Sequence, residues 1–240
     1  MADSSEKTED PTGKKLEKAR QKGQVARSRE LSTTLVLIVS AFMFIFMGGW
    51  IAEGLFALTK RMFVLSRDET YDTTHMFAAW GEAFTSISSP VLLYMIVAMI
   101  AGIYGSIALG GYNFTWEGTK PKGSKMNPLS GFKRMFGTNV LVELLKSIAK
   151  VVVVIGMAIG ALLYFQDEAL HLDMELYPRN IFHALDMLQW AFLILACAMI
   201  PIAIIDVPYQ MYKHNEEMKM TKQEVKDEHK NAEGNQMVKN

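Results

Sequence analysis

Five cations and three large apolar side chains crowd one stretch of this 240-residue chain: Lys120, Lys122, Lys125, Lys133 and Arg134, with Leu129, Phe132 and Phe136. Leu129, Phe132 and Phe136 fall at i, i+3 and i+7, so a helical turn places them on one face with Lys133 and Arg134 beside it. Gly137 is placed to end that turn, and Asn139 to cap the helix that follows. The chemistry such a segment offers is non-covalent docking, either on anionic lipid or on another protein. A nucleic-acid partner is not expected, because no nucleic-acid fold module is present. The wider segment Glu117–Lys150 holds seven Lys/Arg but only two acids, Glu117 and Glu143, with Pro121, Pro128 and several glycines. A connector between apolar helices needs only a few turn residues, so Lys120, Lys122, Lys125, Pro128, Leu129, Phe132, Lys133, Arg134, Phe136 and Gly137 are the candidate contact residues.

Bond-making chemistry has no comparable constellation. The five histidines, His75, His171, His183, His214 and His229, are scattered. There is no phosphate-binding glycine loop, no dinucleotide fingerprint and no His-Glu-x-x-His. The single cysteine, Cys197, sits inside an apolar run and reads as a small filler with no disulfide partner. The expectation is a protein that is not an enzyme and that needs no cofactor or metal.

The elements that position the basic stretch are apolar. Leu31–Ala52, Ala83–Trp116, Val151–Gln166 and Met187–Ile205 are uncharged runs of 22, 34, 16 and 19 residues. About 20 residues at 1.5 Å rise cross the hydrocarbon core. The third run is short, but an apolar helix pattern leads into it from Val140. The predicted fold is an all-α membrane protein: four transmembrane helices as two hairpins, a long structured loop between them, and a C-terminal linker helix. The corresponding segments are 1–30, 31–116, 117–139, 140–207 and 208–240. About 30 polar residues precede the first run, so it is not a signal peptide. Lys/Arg counts are eight before the first run, three in Glu53–Glu82, seven in Glu117–Lys150, one in Asp167–Asp186 and six in the C-terminal tail. The positive-inside rule then puts both termini and the central loop in the cytoplasm.

Several faces stand out along these helices. Ala98, Gly102, Ser106 and Gly110 recur every four residues, and Gly156 and Gly160 have the G-x-x-x-G spacing, which lets helix backbones approach. Glu143, Lys146 and Lys150 share one face, which must meet water, headgroups or protein. Pro90 is expected at a helix start and Pro201 to kink the fourth span. Met1–Thr12 reads as a disordered leader, Gly13–Glu30 as a short helix broken near Gly23, and Tyr209–Glu233 as one polar helix.

Three blocks resemble the export-switch family of type III secretion systems, FlhB/SctU, most closely its flagellar branch. They are Thr8-Glu9-Asp10-Pro11-Thr12 with Lys15-Leu16, Ala19-Arg20, Gly23-Gln24-Val25 and Ser28-Arg29-Glu30; Asn127-Pro128-Leu129 with Gly131 to Phe136 and Glu143 to Lys146; and Asp206, Tyr209-Gln210, Met220 to Glu228 and Glu233-Gly234. With the four runs between them they cover nearly the whole chain. The resemblance implies a multi-pass subunit of the bacterial inner-membrane export gate. Its hairpins would pack on a gate of FliP, FliQ and FliR type, with an FlhA-type export protein nearby and secreted flagellar proteins as cargo. Its central loop would embrace the gate's cytoplasmic entrance, and its tail would lead toward a substrate-specificity switch domain. That domain cleaves itself at Asn-Pro-Thr-His, a motif this sequence does not contain. Asn127-Pro128 continues as Leu129-Ser130 in the loop and is a different element. A virulence-type (injectisome) subunit is the alternative within the family. Outside it, an autonomous four-helix transporter would need polar residues lining a path, and only Ser40, Ser106 and Gln189 offer themselves. A lipid-surface sensor is the third reading.

Overall fold

The computed structural model describes residues 7–64, 66–71, 73–113, 115 and 138–237. In chain order it places β1 (Lys7–Glu9), α1 (Gly13–Gln21), α2 (Arg29–Phe63), α3 (Arg67–Tyr71), α4 (Thr73–Ile107) and α5 (Thr138–His171). A 3-10 turn (Leu172–Met174) is followed by α6 (Arg179–Cys197), α7 (Met199–Met218), β2 (Met220–Thr221) and α8 (Lys222–Met237). Four helical stretches are long and apolar enough to cross a membrane: Arg29–Phe63, Phe77–Ile107, Val140–Met174 and Arg179–Met218. The helices outrun the uncharged runs. α2 and α4 are 35 residues each, roughly 50 Å, against a hydrocarbon core of about 30 Å. Part of the expected loop Glu53–Glu82 is therefore helix, and Arg61 pairs with Glu82 at 2.6 Å across it.

The chain divides into two compact units. The larger, Glu30–Gly105 with Thr138–Ala203, is built on α2. Its buried residues are mostly small or polar, Thr34, Ser40, Ala41, Ala101, Ala161, Ala196, Ala198 and Ala203, joined by Pro90 and the flexible side chains of Met47, Met187 and Met199. Large apolar side chains point outward instead, Phe46 being 80% exposed and Leu162 72%. That inversion is what an apolar solvent produces, since lipid gives helices no hydrophobic reason to hide Leu and Phe from it. α2 meets α4 where Gly105 abuts Ser32: a Cβ at position 105 would lie 2.7 Å from the Ser32 Cα. It meets α6 through Phe44 and Phe192, with ring centroids 5.7 Å apart, and through Gly48, over which the Gln189 amide lies. The Thr34 hydroxyl donates to the Met199 carbonyl at 3.3 Å.

The prolines act differently from one another. Pro90 does not open a helix: α4 begins at Thr73 and carries Pro90, fully buried, in its interior. The fourth span does break as expected near Pro201. The interruption falls at Ala198, and α7 restarts at Met199. Pro201 then occupies the first turn, where a missing N–H leaves no bond unmade. Pro208 lies inside α7.

The smaller unit contains Met1–Arg29, Ser106–Gly137 and Ile204–Asn240. Two expectations change here. The leader is not wholly without structure, because β1 pairs antiparallel with β2, Lys7 opposite Thr221 and Glu9 opposite Met220. The tail is also not one helix from Tyr209 to Glu233. It ends at Met218, passes through β2 and resumes at Lys222. Met218 and Met220 are both buried at this break. Residues with few apolar neighbours in sequence thus acquire an apolar anchor in space.

Candidate functional site

The smaller unit brings together residues from opposite ends of the sequence. Thr12 caps α1, its hydroxyl accepting from the Lys15 N–H at 3.3 Å and donating to the Glu228 carboxylate. Lys15 extends from the first turn of α1 and donates twice, to the Lys219 carbonyl at 3.3 Å and to Glu224 Oε2 at 3.2 Å. Glu224 belongs to a capping box. It accepts from the Thr221 N–H at 3.4 Å, while the Thr221 hydroxyl accepts from the Glu224 N–H at 3.1 Å. Lys15 therefore bridges the residue that follows α7 and the first turn of α8. Its hydrogen bond holds the Glu224 carboxyl below its ordinary range, helped by the Thr221 N–H and opposed by partial burial. The Glu216 carboxylate beside Lys219, 2.5 Å away, raises that ammonium in the same way.

A second junction joins the segment before α2 to α7. The Ser28 hydroxyl donates to Asp206 Oδ2 at 2.6 Å, and the Gln210 amide donates to Asp206 Oδ1 at 3.2 Å. Asp206 is 2% exposed and is the largest fully buried side chain among the described residues. A buried carboxylate is stable only with such donors. Residues of the first and third sequence blocks thus meet, which neither spacing nor composition reveals.

The third arrangement lies in the larger unit. Lys150 Nζ sits 2.7 Å from Glu30 Oε1, and the two side chains are 32% and 19% exposed. Lys146 lies 3.9 Å from Glu143. The shared charged face of Glu143, Lys146 and Lys150 is thus in part an internal contact, turned toward the first turn of α2. The small-residue stripes behave unequally. Gly102 is half-buried, and a Cβ there would meet Val36 at an ordinary 3.7 Å, whereas at Gly110 of the same stripe it would lie 2.7 Å from the Ala26 carbonyl, as close as the approach of Gly105 to Ser32. Ser106 is exposed. Gly156 and Gly160 are exposed, and a Cβ on either would meet open space among the described residues.

The candidate loop residues Lys120, Lys122, Lys125, Pro128, Leu129, Phe132, Lys133, Arg134, Phe136 and Gly137 lie outside the described residues. Of the polar residues a transport path would need, Ser40 is buried in α2 and Gln189 is packed on Gly48. Among the described residues no group of His, Cys, Asp and Glu has the geometry to hold a metal ion. His183 does have a partner, Glu175 at 2.8 Å, in the turn before α6.

What the arrangement offers is a set of braces between segments far apart in sequence. Comparisons with known proteins show what the chain is similar to. A family described as FlhB HrpN YscU SpaS matches residues 5–240. The flagellar biosynthetic protein FlhB of Bacillus subtilis (strain 168) is 32% identical over 237 residues, covering 98% of this chain and 65% of that protein. The protein of the same name from Escherichia coli (strain K12) is 32% identical over 242 residues, covering 99% and 62%. The Yop proteins translocation protein U of Yersinia pestis is 31% identical over 248 residues, covering 98% and 66%. The chain therefore spans 62–65% of the length of these two flagellar relatives.

Proposed function

The chain belongs to the FlhB/HrpN/YscU/SpaS family, and from that premise we propose that it is an inner-membrane subunit of a flagellar type III protein export gate. The observation that carries this reading is the extent of the family match, residues 5–240, which takes in both tails and all four membrane-length helices. In this reading the hairpins pack on gate proteins of the FliP, FliQ and FliR type. The outward Leu and Phe side chains and the bare helix surface at Gly156 and Gly160 supply faces for lipid and for those neighbours. The termini and the Glu117–Lys150 segment are cytoplasmic, following the Lys/Arg distribution. The loop embraces the gate entrance through Leu129, Phe132 and Phe136 with its cations around them, and α8 serves as the linker toward a substrate-specificity switch domain. An FlhA-type protein is a further neighbour, and secreted flagellar proteins are the cargo. The role is binding and gating, with no catalytic step in these residues.

The 31% identity to a Yop translocation protein keeps a virulence-type subunit as the second reading. Complementation separates the two, since a flagellar subunit restores motility to a strain lacking its own copy and leaves effector secretion unchanged. The gate-embracing role is tested by Phe132→Ser with Phe136→Ser in the full-length protein. Loss of cross-links to the gate subunits and at least a tenfold fall in export are expected, a free-energy change of about 1.4 kcal/mol or more. Unchanged cross-linking and export would sink it.

A further inference from the structure

We propose that residues 12–28 form a strut that couples the chain leaving α4 to the linker leaving α7, so that neither moves without the other. The two ends of α1 hold different partners. At its N-terminal end, Thr12 and Lys15 engage Glu228, Glu224 and the Lys219 carbonyl, and β1 pairs with β2 just ahead of them. At its C-terminal end the Arg20 carbonyl accepts from the Gly23 N–H at 2.9 Å and, as a second donor, from the Asn113 amide, while the Gln21 carbonyl in the last turn accepts from the Thr115 hydroxyl at 2.9 Å; Asn113 and Thr115 both come from the segment that follows α4. The chain then turns at Gly23, whose φ of +74° favours glycine, against the Thr115 methyl; a Cβ there would lie 2.7 Å from it. Gly110 is pressed against Val25 and the Ala26 carbonyl in the same way.

Two properties make this a coupling element. α1 is nine residues long, about 13 Å, with backbone bonds from end to end, so it is stiff over its length. It buries only Ala19, so no broad apolar face fixes it in place. A short helix held at its ends, with little of its sides buried among the described residues, shifts as one body, and whatever displaces one end displaces the other. The contacts are all internal to the chain, so the inference stands whether or not the loop embraces a gate.

Amide hydrogen exchange on the full-length protein in lipid nanodiscs tests it, comparing Lys15→Glu, Gly23→Ala and the charge swap Lys15→Glu/Glu224→Lys. Lys15→Glu should speed exchange roughly tenfold in 219–224 and at least threefold in 110–115, and the swap should restore both. Gly23→Ala should do the converse, loosening 110–115 most and 219–224 as well. Changes confined to the mutated end would overturn the proposal. Should Lys15→Glu unfold the chain, seen as lost protection in α5, a Thr12→Cys/Glu228→Cys cross-link in a Cys197→Ser background supplies the opposite perturbation. Its oxidation must then protect 110–115 together with 219–224, and protection of the linker alone overturns the coupling.

Discussion

The two compact units are held together by different forces. In the larger, small residues and glycines let helix backbones touch, and large apolar side chains face outward. In the smaller, a two-residue strand, a capping box, one lysine and one buried carboxylate join segments about 200 positions apart. The first kind of cohesion depends on shape and is indifferent to salt. The second depends on charge and on hydrogen bonds at partly exposed sites, so it answers to ionic strength and pH.

The contrast breaks first at Gly105. Gly105→Leu drives a side chain into the Ser32 backbone and should cost about 3 kcal/mol or more, read as a lower denaturation midpoint of the larger unit in detergent. Asp206→Ala strips the Ser28 hydroxyl and Gln210 amide of their acceptor. About 2 kcal/mol is expected, measured as faster proteolysis at the start of α2, with Asp206→Asn milder. The Glu30–Lys150 pair is ionic yet lies in the shape-packed unit, so it sharpens the comparison. A double-mutant cycle to alanine should give a coupling of roughly 1 to 2 kcal/mol that 0.5 M salt barely reduces, because the Glu30 side chain is only 19% exposed. The smallest effect belongs to Glu224, whose side chain is about half exposed and screened by solvent. Its carboxyl is lowered in the fold, so its contribution is complete above the unfolded value of about 4.3 and fades as pH falls through the lower folded value. Exchange at 219–224 should therefore rise below about pH 4, and also with salt at neutral pH; flat profiles would remove the electrostatic account of this junction.

Membrane-length helices were legible from uncharged runs alone, because hydropathy reports the solvent a segment prefers. Helix ends were not, because backbone hydrogen bonding continues past the last apolar residue, as at Phe63 and Thr73. A four-residue repeat does not distinguish a face from its neighbour: Gly110 of the stripe is tightly packed, Gly102 meets Val36 at ordinary contact, and Ala101 and Gly105, one residue ahead of Gly102 and Ser106, are buried as well. Lys150 was recognisable as a charge needing a partner, but Glu30 lies 120 positions away. The break before α8 does have a local sign, the pattern Thr221-x-x-Glu224, a capping box inside what otherwise reads as one polar helix. β1 had none, since three polar residues become a strand only beside Met220.

The buried carboxylate also sets an order of events at the ribosome. Ser28 is synthesised 178 residues before Asp206, an interval of roughly 10 to 35 s at ordinary elongation rates. Throughout that time the first three spans can enter the bilayer, but the hydroxyl that will receive Asp206 waits without it. The junction between Ser28 and Asp206 therefore forms only once α7 is being made, and until then the Ser28 hydroxyl lacks that acceptor.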